Sequence, residues 1–120
     1  LSLWNNPQAL EVSAMAGNMF ETYVVSEIIK SYANAGIDVR NRLFYYRDNN
    51  KKEIDLLIVQ NGKIYPVEIK KGANPTKEAL KNFSVLESLG METGKGAVIC
   101  QSGMIVPLDQ KNSLVPFEYI

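Results

Sequence analysis

Four ionisable side chains stand out by type and spacing: Glu21, Asp55, Glu68 and Lys70. The dipeptide Asn61-Gly62 lies between two strand-like runs and is the strongest short signal for a two-residue type I′ hairpin. Counting outward from that turn sets Gln60 against Lys63 and Asp55 against Glu68. In such a hairpin Asp55 and Glu68 form a non-hydrogen-bonded pair, with Cα atoms only about 4.5 Å apart. Two carboxylates that close on one face repel each other, so a positive group is expected between them. Lys70 follows Glu68 by two residues, shares its face and falls opposite Glu53. Pro66 falls opposite Leu57, where its missing N–H would have pointed away from the second strand.

A third carboxylate is expected from a helix. From Ser13 to about Ala35 the pattern is helical, with Gly36 suited to end it. At about 100° per residue, Phe20, Val24, Val25, Ile28 and Tyr32 form one apolar arc, and Glu21 falls near its middle. Glu27 lies at the margin of that arc and reads as an ordinary boundary charge. Three carboxylates suit a hard cation such as Mg2+ or Mn2+, which prefers oxygen ligands. The chemistry such a site supports is metal-assisted phosphodiester hydrolysis, with a lysine orienting the nucleophile or stabilising developing negative charge. The sequence contains no histidine, which excludes serine triads, zinc–histidine hydrolases and histidine general bases. Carboxylates and lysine remain.

The elements that must position these groups follow from the rest of the pattern. Residues 1–12 read as a lead-in segment. Three strand-like runs cover Val39 to Arg47, Glu53 to Gln60 and Lys63 to Lys70. The second has Ile54, Leu56 and Ile58 on one face and Leu57 and Val59 on the other, so it is expected to be a central strand covered on both sides. Pro75 to Leu89 reads as a second helix, with Asn74 as N-cap and Gly90 just past its end. A buried strand, Lys95 to Gln101, and a terminal stretch with one or two short edge strands complete the chain. The expected architecture is α/β, an αβββαβ core with a central mixed sheet flanked by helices, in one domain over residues 1–120.

The run Gly17-x-x-Phe20-Glu21, then Tyr45-Tyr46-Arg47-Asp48 leading to Glu53-Ile54-Asp55, then Val67-Glu68-Ile69-Lys70, resembles the PD-(D/E)XK phosphodiesterase pattern. More closely, with Pro66 before the E-x-K tripeptide, it resembles the uncharacterised C-terminal domain that follows the ATPase module of many bacterial and archaeal AAA-type ATPases. The resemblance implies a restriction-endonuclease-like fold. It also implies Glu21, Asp55 and Glu68 as acidic positions, Lys70 as catalytic lysine, and the Ile69 carbonyl as a further metal ligand. An attached N-terminal ATPase module is implied as a partner in the same polypeptide. No proline precedes Asp55, where the motif's name would put one.

Composition bounds these expectations. The 120 residues carry 13 basic and 13 acidic side chains, so the net charge is zero and any grip on nucleic acid must be local or shared with a partner. The lone Cys100 sits in an apolar run and fits core packing, with no internal disulfide and a reducing, cytoplasmic setting. No run is long and apolar enough to span a membrane. The chain does not begin with methionine and is read as the C-terminal part of a longer protein. Competing readings are a catalytically silent module that binds DNA or a protein partner for the ATPase, and an oligomerisation domain in which Ser113 to Ile120 docks onto another subunit. Without metal, Lys70, Lys52 or an arginine would neutralise the acidic pair. Arg40, Arg42 and Arg47, with Tyr45 and Tyr46, read either as a half-exposed strand or as a surface combining phosphate contacts with stacking. Trp4 is expected to pack against the domain or against further chain.

Overall fold

In the computed structural model residues 7–120 are described, with side chains from Ala16 onward; Trp4 lies outside them. The first helix, α1, spans Pro7–Asn34 and so begins six residues before the sequence pattern alone indicated. A proline is tolerated there because the first turn of a helix has no use for its N–H. The helix ends in a Schellman motif. Gly36 takes φ 74°, its N–H donates to the Ala33 carbonyl, and the Ile37 N–H donates back to Tyr32 at 2.9 Å.

The expected first strand is shorter than its apolar run. Asp38 accepts a hydrogen bond from the Arg40 N–H at 2.9 Å and caps a 3-10 turn over Val39–Asn41, so β1 covers only Leu43–Arg47. Strand β2 is Glu53–Gln60 and β3 is Lys63–Ile69. Asn61 and Gly62 both have positive φ, 54° and 78°, and Gln60 pairs with Lys63 as the two-residue hairpin requires. Pro66 faces Leu57, as expected from the turn.

The expected second helix is broken. Thr76, not Asn74, caps a 3-10 turn at Lys77–Leu80, and α2 is one short helix, Ser84–Ser88. The break has a tertiary cause. The Asn82 side chain reaches across to donate to the Glu53 carbonyl at 2.9 Å, while Phe83 and Leu86 turn inward onto Ile54 and Leu57. Strand β4 is Gly96–Cys100, β5 is Val106–Pro107 and β6 is Asn112–Pro116.

These strands form one mixed sheet in the order β1-β2-β3-β4-β6-β5. β1, β2 and β3 are antiparallel neighbours; β3, β4 and β6 run parallel; β5 is an antiparallel edge. The architecture is therefore α/β, with helices on both faces. On one face Val24 and Ile28 of α1 pack on Leu56, Val67, Ile69 and Ile99. On the other, Ile54, Leu57, Phe83 and Leu86 form a second cluster, continued by Val98, Cys100 and Leu114. Cys100 is core, as its apolar context implied.

The terminal stretch differs from the expected short edge strands in the place of β6. β6 is an interior strand joined to β4, and Phe117 meets Phe20 of α1 edge-on at 5.6 Å, so this apolar stretch is largely used within the chain. No helix among the described residues is long and apolar enough to cross a membrane. Because Leu86 is fully buried and Leu89, three residues on, is 51% exposed, their truncations should separate cleanly. Leu86→Ala is expected to cost about 2–5 kcal/mol, and Leu89→Ala less than about 0.5 kcal/mol, in urea unfolding.

Candidate active site at the parting of two strands

The site grows from a conflict between the β2–β3 ladder and the two acids placed on it. Leu56 pairs with Val67 as the last regular pair, and one step on Asp55 meets the Glu68 side chain. Here the strands separate. The hairpin parity would have the Ile69 N–H donate to the carbonyl of Ile54; it donates instead to Asp55 Oδ2 at 2.8 Å. The Asp55 N–H donates to Glu68 Oε1 at 3.1 Å. Two carboxylates thus replace backbone acceptors, and regular pairing of Lys70 with Glu53 does not form. Lys70 instead continues along β4, its N–H donating to the Ile99 carbonyl at 2.9 Å.

A β-bulge accompanies the separation. β1 pairs Phe44 with Leu57 but Tyr46 with Ile54, so Tyr45 alone stands against Leu56 and Asp55 together. The extra residue reverses the face of everything before it on β2. Ile54 consequently packs with Leu57 under α2, not with Leu56 and Ile58 under α1 as strict alternation indicated. Asp55 is the residue at which the side chains change sides.

The expected residues are gathered in two groups around this point. Glu21 and Asp55 line a cleft of about 400 Å³ between α1 and the β1–β2 edge, together with Tyr45, Arg47 and Glu53. Glu68 and Lys70 line a second cleft of about 450 Å³, toward Thr76 and Lys81. The link between the two is the Asp55–Glu68 hydrogen bond, and Lys70 Nζ lies 3.6 Å from Glu68 Oε2. No group of three or more His, Cys, Asp or Glu side chains among the described residues is arranged to hold a metal ion. Glu53 belongs to the first cleft as a further carboxylate, and its partner is Arg47, with Nε 3.0 Å away. The sequence named Glu53 only as the residue across from Lys70; its place two before Asp55 beside a bulge is the signal that could have included it.

Within the cationic run, Arg40 and Arg47 are each paired with an acid and Tyr46 is bonded to Asp48. Arg40 binds Asp38 at 2.7 Å on the surface, and the Tyr46 hydroxyl donates to Asp48 at 2.8 Å.

Residues 16–120 match the family described as Domain of unknown function (DUF4143). The chain belongs to that family. No curated protein and no solved structure matches it.

Electrostatically the site is short of positive charge. Glu68 is 6% exposed, the one buried charged side chain among the described residues. Burial, then the neighbouring Asp55, push its carboxyl from 4.5 up to about 7, against the opposing pull of the Asp55 N–H and Lys70. Asp55 is raised chiefly by burial, although the Ile69 N–H and Lys70 favour its charge. Glu21 is raised by burial, then by Asp55 and Glu53.

A carboxyl whose folded-state pKa lies above its unfolded value binds more protons when folded, so stability falls as pH rises through that interval. For Glu68 the interval runs from 4.5 to about 7. The difference in stability between Glu68→Gln and the parent should therefore grow in favour of the variant from pH 5 to pH 8. After allowance for solvent screening the change is on the order of 1 kcal/mol. Paired thermal melts across that range measure it, and a difference independent of pH would contradict the assignment.

Proposed function

We propose that this DUF4143 domain is a PD-(D/E)XK-type phosphodiesterase dependent on Mg2+ or Mn2+ and acting on nucleic acid, with Glu21, Asp55 and Glu68 as its acidic residues and Lys70 as its lysine. The observation that carries the reading is Glu68, a buried carboxyl held between the Asp55 N–H and the Lys70 ammonium where two strands part. Desolvated acids with pKa values raised by one another are a recurrent property of catalytic sites.

The oxygens of the three acids suit Mg2+ or Mn2+ in kind and carry more negative charge than Lys70 offsets. They stand in two clefts and form no group of three arranged for a metal ion among the described residues, so binding would have to draw Glu21 and Glu68 toward Asp55. Glu21, Asp55 and Glu68 would hold the ion, with the Ile69 carbonyl as a further oxygen. When bound, such an ion polarises the phosphoryl oxygen and makes water a better nucleophile. The chain's own part is positional. Asp55 accepts from the Ile69 N–H and Glu68 from the Asp55 N–H, which orients both acids. Lys70, half exposed with its Nζ 3.6 Å from Glu68 Oε2, lines the second cleft, from which it would meet a phosphate oxygen.

A second reading has its own support. Both acids already serve as hydrogen-bond acceptors for backbone N–H groups, a structural use that needs no cation. On this reading the domain is a catalytically silent module that binds DNA or a protein partner for an attached AAA-type ATPase. Metal titration and turnover separate the two. Mn2+ at a hundredfold excess over its dissociation constant should stabilise the protein by about 2.7 kcal/mol, and Asp55→Asn should abolish that shift in a thermal melt. Lys70→Ala should keep the shift while lowering cleavage of DNA or RNA at low salt by about 10²–10³-fold. Equal inertness of parent and Lys70→Ala, with binding retained, would establish the silent module.

A further inference from the structure

The bulge that turns β2 at Asp55 also sets one aromatic ring beside the acids. Tyr45 has no single partner on β2; it stands across from Leu56 and Asp55 and lines the same cleft as Glu21 and Asp55. It is 73% exposed, the most exposed of the large hydrophobic side chains among the described residues. Its neighbour Tyr46 is employed structurally, bonded to Asp48 and packed against the Ile54 cluster. Tyr45 packs in none of the three core clusters.

The other side of the acids differs in character. The second cleft carries Lys70, Lys71 and Lys81 against Glu68 and Glu78, with Lys81 3.3 Å from Glu78. A nucleic-acid strand crossing the acids would thus meet ammonium groups on one side and an open aromatic face on the other. The protein's net charge is zero, so backbone attraction alone gives little grip, and a stiff duplex keeps its base faces covered. An unpaired base offers its face, and stacking on an aromatic side chain gives about 1–3 kcal/mol without regard to sequence.

We infer that Tyr45, aligned with Asp55 by the bulge, is a stacking platform for an unpaired base, so that the site takes single-stranded or frayed nucleic acid in preference to intact duplex. The inference rests on the phosphodiesterase reading and names the substrate form of that same site. Tyr45 acts in binding. A phenylalanine ring would serve as well, because the stacked face and not the hydroxyl makes the contact.

The test uses fluorescence anisotropy with Mn2+ at low salt, every protein carrying Lys70→Ala so that the probe survives. The probes are labelled mixed-sequence DNA and RNA strands of about twelve nucleotides, within the span of known single-strand sites, and the matching DNA duplex. Tyr45→Ala should weaken single-strand binding about tenfold, within the range of one lost stacking contact. Tyr45→Phe should stay within about twofold of the parent, and duplex binding and the salt dependence should not change. Single-strand affinity unchanged in Tyr45→Ala, equal loss in Tyr45→Phe, or tighter binding of duplex than of single strand would overturn the inference. Comparison of the DNA and RNA arms shows which strand the platform accepts. Cleavage by the lysine-bearing parent with no Tyr45 effect would remove this inference alone, whereas Tyr45-dependent binding with an inert parent would remove the phosphodiesterase reading alone.

Discussion

The structure turns on a competition between a β-ladder and two carboxylates. A hairpin of two-residue register brings Asp55 and Glu68 to the position where cross-strand side chains come closest, and there the charges oppose each other in a poorly solvated place. The strands yield. Each acid takes a backbone N–H, and no buried side-chain polar atom among the described residues is left without a hydrogen-bond partner. The bulge, the reversal of Ile54, the exposure of Tyr45 and the parting of the two clefts all lie at this point of β2. A sheet of ordinary hydrophobic alternation would be more regular here and would carry no such pair of acids.

What was legible in the sequence was what local chemistry decides. Asn61-Gly62 chooses its turn through positive φ, and the register from Gln60–Lys63 to Leu56–Val67 follows arithmetically. Gly36 ends α1 for the same kind of reason, and the apolar arc from Phe20 to Tyr32 is the arc that packs. The order of helices and strands through β4 is as the periodicity indicates.

What was not legible depends on contacts distant in the chain. Ile54, Leu56 and Ile58 alternate perfectly on paper, and nothing local reveals that an extra residue at Asp55 moves Ile54 to the opposite face. The helix periodicity from Pro75 to Leu89 is real, yet Asn82 and Phe83 gain more from β2 than from continuing a helix, so tertiary contacts override propensity. The three expected acids could be named by position, but their division between two clefts could not, because it follows from the same bulge.

The place of β6 has a consequence for how the molecule assembles. This strand is laid between β4 and β5, and Phe117 just beyond it closes on Phe20 and Tyr23 of α1. These aromatic contacts join residues nearly a hundred positions apart, and the entropy of closing so large a loop is recovered only when the ends meet. The β1–β2–β3 meander, by contrast, needs only local turns. The acidic groups on β2 and β3 therefore belong to the part of the chain held by short-range turns, while the seal between α1 and the segment after β6 carries the larger loop-closure cost.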